Sequence, residues 1–415
     1  MDSRVDEPPV QNWDSAPRPA LSRGGTLVLF FTGANDSNLP KIKFILEPAM
    51  STLLAGVLAY KHARHLKVVH GHVMTRTTRT VALLQQLGSG DVFVFVGVAG
   101  LCSIPFIDLR RRGVYTIHYQ TEPVDHCMLM TNMVDELWDY GHHNIDACAR
   151  EGPRRVIGKG DYCNKAHRAS TRVPLQRYVP PGALPSVQVM HAEAQPHLSF
   201  MGQTQYNARL RLQCWSNLSV ALASRDPRHG QWRYTSRGRR PMVINRELAH
   251  APPPYISMTN RVWSDAEFAQ LMGRFSVFLN MHKNCGSAHE PVEVFRVNKL
   301  LSAGGLVISE RSYPKDEQEF EGIVSFADGM AGVAEEYLRL AHMPKAERET
   351  LAGARAARFV ARFAPARIFE RAGIYARFDE LFAASIRDGG SGCVRRFRSE
   401  GEALVRLNES TWCDT

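Results

Sequence analysis

The most informative part of the sequence is LNMHKNCGSAHEPVEVFRVNKLLSAGGLVISE, residues 279–310. A β-rich apolar run at Phe275–Asn280 leads into it, and apolar residues then recur at helical spacing over residues 291–303. A Gly-Gly pair follows, which is typical of a helix end, and a second short apolar run begins at residue 306. Strand, helix and strand in this order predict two parallel strands joined by a helix.

The same alternation runs outward in both directions. Ser264, followed three residues later by Glu267, forms a capping box that predicts a helix start. Strands are predicted at residues 26–32, 67–70, 91–96, 113–118, 134–138, 174–179, 197–201, 241–245, 275–280, 306–309 and 322–326. Helices are predicted between them at residues 47–66, 75–87, 142–150, 208–223, 264–274 and 291–303. The pattern predicts an α/β fold with two Rossmann-like, doubly wound domains facing a cleft.

A proline-rich break divides the alternation into two halves. Pro180, Pro181 and Gly182 interrupt it because proline lacks a backbone donor and restricts the residue before it, so we place the linker at residues 180–195. From Gly332 onward the sequence is mostly helical and is expected to pack back on the first domain. The predicted organisation is a disordered Pro-rich tail (1–24), an N-terminal domain (25–182), a C-terminal domain (183–364), crossover helices (365–388) and a basic tail (389–415).

The composition matches a folded soluble protein. Of the 415 residues, 44% are hydrophobic and 22% charged, and the longest apolar runs are shorter than the roughly 20 residues that cross a bilayer. No membrane span or secretion signal is expected. The eight cysteines are scattered without two-residue spacing, which predicts free thiols in a reducing compartment and a cytoplasmic location.

The positive charge points to an anionic partner without specifying which one. The formal net charge is +10, but the basic residues form short clusters at 110–112, 237–240 and 395–398 rather than one long run interleaved with aromatic residues. This pattern argues against specific nucleic-acid binding. A solvated basic surface and an anionic substrate both stay open.

Charged side chains surround the predicted helix at 291–303. His282 and Lys283 lie beyond the carboxyl end of a strand, and Glu293 and Arg296 are three residues apart on one helix face. Ligands of open α/β sheets bind at such strand ends, where a helix N-terminus also favours anions. A carboxylate suits ribose hydroxyls and arginine suits a diphosphate. An ordinary surface ion pair, worth about 0.2–0.5 kcal/mol, would show the same spacing.

Four segments resemble those of bacterial GT-B glycosyltransferases related to the spore-maturation CgeB group. They are HEPVEVFRVNKLLSAGGLVISE (289–310), YQTEP (119–123), VDELWDYGHHNI (134–145) and RYVPPG (177–182), in the same order. The resemblance implies a GT-B fold, a nucleotide-sugar donor in the C-terminal domain, an acceptor in the N-terminal domain and no required metal.

The resemblance also assigns residues. It places Glu293 and Arg296 in the donor site, with His282, Lys283, Asn298 and Ser302 beside them. Many GT-B enzymes have a second glutamate where this chain has Lys299, so ribose binding at that position is in doubt, and Glu293 is the candidate substitute.

Two further loops are candidates for the site. Gly202, Asn207 and Arg209 follow the first strand of the second half, where glycine lets backbone amides approach a diphosphate, although a plain turn would look the same. An inverting transfer needs a base, for which we consider Glu122 first, then His118 and Asp36. A core histidine is the alternative interpretation of His118.

The sequence does not predict a metal site. His142 and His143 stand beside Asp139, but adjacent residues of a helix point in different directions and no third ligand has suitable spacing.

The sequence therefore predicts a metal-independent hexosyl- or related transferase that uses a nucleotide-sugar as donor substrate and no other cofactor. The acceptor is an unassigned glycan, lipid or protein, and neither specific nucleic acid nor a membrane span is expected. The alternatives are a catalytically degenerate GT-B module that binds glycan or a protein partner, and a nucleotide-sugar epimerase.

Overall fold

Two seven-stranded sheets organise the chain. The computed structural model describes residues 25–32, 39–73, 78–97, 104–121, 134–151, 174–183, 195–201, 209–226, 232–235, 242–243, 256–259, 264–282, 284–288, 290–389 and 393–398. The Pro-rich segment 1–24 lies outside these ranges.

The first sheet is entirely parallel. Its strands are β1 Thr26–Thr32, β2 Lys67–Val73, β3 Val92–Val96, β4 Tyr115–Tyr119, β5 Glu136–Asp139, β6 Leu175–Tyr178 and, from the far end of the chain, β14 Cys393–Arg398. The order is β14-β2-β1-β3-β4-β5-β6. The helices of this half are α1 Leu39–Leu58, α2 Thr78–Gln86, α3 Phe106–Arg111 and α4 His142–Glu151. All five residues of β3, VFVFV, are buried, as expected for a strand covered on both faces.

The second sheet repeats the plan. Its strands are β7 Gln195–Met201, β8 Trp232–Thr235, β9 Met242–Val243, β10 Ile256–Thr259, β11 Phe275–Asn280, β12 Leu306–Glu310 and β13 Ser325–Ala327. The order is β13-β12-β11-β7-β10-β8-β9, parallel except for β8 with β9. Its helices are α5 Arg209–Ala223, α6 Asp265–Met272, α7 Val294–Ser302, α8 Pro314–Glu319 and α9 Gly329–His342. The chain leaves β7 in one direction and returns on its other side at β11, so the strand order reverses between these two strands.

The last helices return to the first half, as the sequence predicts. They are α10 Lys345–Phe363, α11 Pro365–Arg371, α12 Ile374–Leu381 and α13 Ala383–Arg387. Phe369 of α11 lies so close to Gly56 of α1 that a Cβ there would come within 2.4 Å of its ring. Tyr60 donates to Asp379 of α12 at 2.6 Å. None of the helices in the described part of the chain is long and apolar enough to cross a membrane.

Three hydrogen bonds hold the proline-rich segment between the two halves. Gly182 donates its N–H to Thr52 Oγ1 of α1 at 2.6 Å, and Ala183 donates to the Phe363 carbonyl of α10 at 2.9 Å. Asn298 of α7 donates its amide to the Pro181 carbonyl. Residues 181–183, at the start of the predicted linker, are therefore attached to both halves of the molecule.

The end of the chain differs from the prediction of a basic tail over residues 389–415. Residues 393–398, CVRRFR, form β14, whose backbone pairs in register with β2 from Cys393–Lys67 to Arg398–His72. Backbone pairing needs no apolar alternation, and edge strands commonly carry charges. Residues 390–392 and 399–415 lie outside the described ranges.

The prediction of free thiols is wrong for the four described cysteines. Cys214 and Cys285 form a disulfide across 71 residues of sequence, and Cys148 and Cys393 are also disulfide-bonded. Spacing cannot reveal such pairs, because the fold alone brings them together. The predicted cytoplasmic location loses the support that reduced cysteines gave it.

Candidate functional site

The candidate site, called the crevice below, is the edge of the second sheet at the carboxyl ends of β7, β11 and β12. These strands are neighbours and parallel, so their ends meet at one edge of the second sheet. The strand order reverses between β7 and β11, and open α/β sheets bind their ligands at such a point. Helices α5 and α7 flank this edge and contribute its charged side chains.

Glu293 lies between two arginine side chains. Arg211 of α5 donates from Nη2 to Glu293 Oε1 at 3.0 Å and from Nε to the His282 carbonyl at 2.9 Å. Arg296 of α7 donates from Nη2 to Glu293 Oε2 at 3.4 Å and from Nη1 to Asn280 Oδ1 at 3.2 Å. The structure thus brings together the pair that the helical spacing placed on one face, and adds an arginine 82 residues away from Glu293 in sequence.

Both guanidinium groups are buried over one aromatic ring. The guanidinium carbons of Arg296 and Arg211 lie 4.9 and 5.7 Å from the ring centre of Phe200, within the range of cation–π contacts. Their side chains are 11% and 8% exposed, whereas that of Glu293 is 36% exposed. Burial lowers the pKa of Arg296 to about 10, so it stays charged at neutral pH. Two buried arginines thus share one carboxylate, and the forked donors of arginine suit an anionic ligand with several oxygens.

His282 presents a buried acceptor beside this cluster. Its Nε2 lies 3.1 Å from the Arg311 carbonyl oxygen and 2.9 Å from Ser312 Oγ. A carbonyl accepts and cannot donate, so we assign the ring proton to Nε2. Nδ1 is then an unprotonated acceptor; it is buried and has no hydrogen-bond partner among the described residues. A ligand hydroxyl would satisfy it.

Glu310, the last residue of β12, anchors the loop that follows β11. Its two carboxylate oxygens accept the backbone N–H groups of His282 and Gly286, the latter at 2.6 Å. Burial raises the pKa of Glu310, while the hydrogen bonds from the backbone N–H groups of Gly286 and His282 oppose the rise. Within the loop, the Asn284 amide donates to Glu290. Glu290 therefore belongs to the loop before α7.

Asn298 and Ser302 do not join the cluster, contrary to the prediction that places them beside it. Asn298 follows Arg296 by two residues, which rotates it to the opposite side of α7, where it binds Pro181. Ser302 is the last residue of α7, about 9 Å along the helix axis from Arg296.

Among the catalytic candidates, His118 is a core histidine. It lies in β4 with no exposed surface, its Nε2 is 2.8 Å from the Gly97 carbonyl oxygen, and its ring stacks on Phe95. A base must reach the acceptor hydroxyl, so this placement does not support the catalytic prediction for His118. Glu122 and Asp36 lie outside the described residues.

The remaining donor-site candidates stay predictions. Gly202, Asn207 and Lys283 lie outside the described residues, and so does the side chain of Arg209, which begins α5.

Sequence reasoning missed three members of the cluster: Arg211, Phe200 and Asn280. Phe200 is the penultimate residue of β7 and Asn280 the last residue of β11, and they look like ordinary core and turn residues. The available signal was their position at the ends of adjacent strands, which requires the strand order to be known.

No three His, Cys, Asp or Glu side chains in the described ranges group as a metal site. The backbone N–H groups of His142 and His143 face Asp316 of α8 instead, at 2.8 and 3.5 Å from its carboxylate oxygens. Metal independence stays a prediction.

Several solved structures share the architecture described above. No protein-family model and no curated protein matches the sequence. Among solved structures, the chain is similar to a UDP-forming α,α-trehalose-phosphate synthase from Burkholderia vietnamiensis, with a TM-score of 0.54 at 12% identity over 89% of this chain and 99% of that one. Sucrose-phosphate synthase from Thermosynechococcus elongatus gives a TM-score of 0.50 at 11% identity over 87% and 100%. The chain has the GT-B fold.

A third similar GT-B structure is an α-glucosyltransferase in complex with UDP, with a TM-score of 0.50 at 10% identity over 86% of this chain and 99% of that one. At these identities the likeness extends to the fold alone. The narrower resemblance to the CgeB group stays a prediction.

The two GT-B lobes meet beside the crevice, at the first turn of α4. Asp139 of the first lobe accepts the Gly141 N–H at 2.9 Å, and Asp316 of the second lobe accepts the His142 N–H at 2.8 Å. Two carboxylates from different lobes thus cap one helix N-terminus. Tyr313 O–H also crosses the joint to the Asp146 carboxylate at 2.7 Å.

Proposed function

We propose that the chain transfers a sugar from a nucleotide-sugar donor, whose diphosphate binds at the strand ends of the second sheet. The observation that carries this proposal is the cluster in which Arg211 and Arg296, both buried, share Glu293. The oxygens of a diphosphate match the forked donors of the two arginines. The GT-B fold supports the same assignment, since its solved relatives include a UDP complex.

Each side chain has a proposed role. Arg211 and Arg296 bind phosphate oxygens, and the exposed part of Glu293 accepts ribose hydroxyls in place of the glutamate that Lys299 replaces. His282 Nδ1 accepts a hydrogen bond from a hydroxyl of the donor sugar. Two arginines and the N-terminus of α7 would stabilise the departing diphosphate without a metal ion.

The acceptor is proposed to enter from the first lobe, where a glycan, a lipid or a protein hydroxyl would meet the donor. The described residues assign no base for its proton, because Glu122 and Asp36 lie outside them. Closure of the lobes would exclude water, so that transfer competes with hydrolysis.

A ligand panel tests the donor assignment. We expect at least one of the UDP-, GDP-, ADP- or CMP-linked sugars to raise the thermal unfolding midpoint, because a ligand that binds the native state alone stabilises it by about 2.7 kcal/mol at 100 times its Kd. Inorganic phosphate at equal ionic strength is the control. An unchanged unfolding midpoint with all four donors would contradict the proposed function.

Lys299 favours one alternative, a catalytically degenerate GT-B module that binds glycan or protein. Its Nζ donates to Asp265 of α6 at 3.2 Å, and burial lowers its pKa. The side chain is thereby fixed toward α6 and away from ribose. Donor binding without release of nucleoside diphosphate in the presence of any acceptor mixture would favour this alternative.

A further inference from the structure

The loop between β11 and α7, residues 281–290, is here named the donor loop. Its described residues Asn284, Gly286 and Ala288 are exposed, whereas Met281 is buried in the apolar cluster of the second sheet. Glu310 accepts the Gly286 N–H, and Glu290 accepts a hydrogen bond from the Asn284 side-chain amide, for which water competes because that pair is exposed. Residues 284–288 are therefore attached to the rest of the lobe by polar contacts and by Cys285.

A disulfide supplies a covalent attachment at this place. Cys214 of α5 and Cys285 of the donor loop are bonded, with their Cα atoms 6.4 Å apart. Both cysteines pack against the apolar cluster of the second sheet. The bond closes 71 residues of chain, which include β8, β9, β10, α6 and β11.

Each cysteine of the disulfide lies three residues after a side chain that we propose contacts the donor. Arg211 precedes Cys214 by three residues, one turn of α5, and lies on the same helix face. His282 precedes Cys285 by three residues in the donor loop. Arg211 Nε donates to the His282 carbonyl, so a hydrogen bond and the disulfide join the same two segments.

We propose that the Cys214–Cys285 disulfide positions the donor site, so that the chain binds a nucleoside diphosphate tightly only in its oxidised state. The inference rests on the proposed function. Arg211 presents its guanidinium correctly only while α5 and the donor loop keep their spacing, and a displacement of about 1 Å at a site of this kind is costly.

The redox step involves two electrons. Reduction by a dithiol breaks the S–S bond, adds two electrons and two protons to give two thiols, and converts the dithiol into its own disulfide. The other two described cysteines, Cys148 and Cys393, are also bonded, which agrees with a chain that matures where disulfides form.

The test measures the Kd of uridine and guanosine diphosphate by calorimetry for the wild-type protein and for the double variant Cys214→Ser/Cys285→Ser. We expect the double variant to bind at least tenfold more weakly, measured well below its unfolding temperature. Dithiothreitol should weaken binding by the wild-type protein to the same extent, and reoxidation with oxidised glutathione should restore it. In the double variant dithiothreitol should change the Kd no further.

The control is Cys148→Ser, which breaks the disulfide that Cys148 of α4 forms and should lower the unfolding midpoint without changing the Kd. Equal Kd values for the wild type and the double variant would overturn the inference and leave the proposed function standing. Failure of the oxidised wild type to bind the nucleotide of any donor in the ligand panel would overturn both.

Hydrogen exchange gives an answer even if the double variant binds nothing because it folds poorly. In the wild-type protein, reduction should speed amide exchange in residues 284–288 and leave β11 and β12 protected. Unchanged exchange in the donor loop after confirmed reduction of Cys214 and Cys285 would contradict the inference.

Discussion

The Arg296→Ala variant is expected to bind the donor nucleoside diphosphate about 10- to 100-fold more weakly than the wild-type protein. A hydrogen bond to a charged group contributes about 1.5–3 kcal/mol, which corresponds to this range of affinities. Arg296 is buried over Phe200, and its low exposure means that water replaces its contacts poorly. Isothermal titration with the nucleotide selected by the ligand panel measures the effect.

The chain contains a matched control for this change. Arg339 of α9 pairs with Glu336 at 2.7 Å and with the same three-residue spacing, but its side chain is 49% exposed. Arg339→Ala should leave the nucleotide Kd unchanged, because an exposed pair of this kind contributes little and lies outside the crevice. The nucleotide affinity of Arg296→Lys should fall between those of Arg296→Ala and Arg339→Ala, since lysine keeps the charge and loses the planar fork.

Equal affinities for Arg296→Ala and Arg339→Ala would show that the buried arginine cluster is not the donor site. Thermal unfolding of all three variants, measured without ligand, separates a loss of binding from a loss of folded protein.

Local signals in the sequence were sufficient for much of the fold. The strand at Phe275–Asn280 has the predicted bounds, and Ser264 accepts the Glu267 N–H at 3.2 Å as the capping box requires. Both signals depend on residues close together in sequence. The helix predicted over residues 291–303 begins at Val294, because Glu290 is bound to Asn284 in the preceding loop.

Elements that depend on distant partners were not predictable in this way. Strand β10, ISMT, is short and not strongly apolar, and it becomes a central strand because β7 and β8 pair with it. The helix Phe106–Arg111 was taken for a basic segment, yet its Arg110 binds Asp135 at 2.9 Å across 25 residues of sequence.

The candidate site also combines residues that are close in sequence with residues that only the fold brings together. Glu293 and Arg296 share a helix, so their spacing placed them on one face. Arg211 and the disulfide that follows it come from another helix, and only the order of the strands brings that helix to the crevice. Asn298 was misplaced because closeness in sequence was taken for closeness on the helix surface.

The second large effect concerns the two carboxylates that cap α4 from opposite lobes. Burial raises the pKa of Asp139 to about 8; Gly141 and Asn144 oppose the rise through hydrogen bonds, and Asp316 adds to it. Burial likewise raises the pKa of Asp316 to about 6. Oδ2 of Asp139 is buried without a partner among the described residues, so no contact favours its ionised form at that atom.

Other ionisable groups lie near Asp139. Burial raises the pKa values of Tyr119 and Tyr178 well above the ordinary value, so both stay neutral near pH 7. The charge of Asp139 adds to the rise for Tyr119. His142 stacks on Tyr178 at 3.9 Å between ring centres and lies 3.6 Å from Glu319. A comparison of the wild type with a variant at Asp139 therefore reports the Asp139 carboxyl group together with its interaction with Asp316.

The direction of the pH effect follows from the raised pKa. An aspartate in the unfolded chain titrates near pH 3.9, so above that pH the folded protein holds a proton that the unfolded chain has released. The free energy of unfolding therefore decreases as the pH rises from the unfolded pKa to the folded pKa, and it levels off above the folded pKa. For Asp139 the interval from pH 5 to pH 8 corresponds to about 4 kcal/mol.

The Asp139→Asn variant is therefore expected to be more stable than the wild-type protein at pH 8, by about 3 kcal/mol, and to match it within about 1 kcal/mol at pH 5. Asparagine resembles the protonated acid and keeps an oxygen for the Gly141 N–H. Urea unfolding at pH 5, 6, 7 and 8 measures the difference.

Asp91→Asn is the contrasting variant. Both oxygens of Asp91, also buried, accept backbone N–H groups, from Thr26 at 2.9 Å and Gly88 at 3.0 Å, and an amide can replace only one of these acceptors. It should lower stability at every pH in the range. If the curves for the wild type and Asp139→Asn stayed parallel from pH 5 to pH 8, Asp139 would be ionised in the folded protein throughout. The lobes would then meet at two charged carboxylates held by the amides of α4, and not at a carboxyl group that keeps its proton.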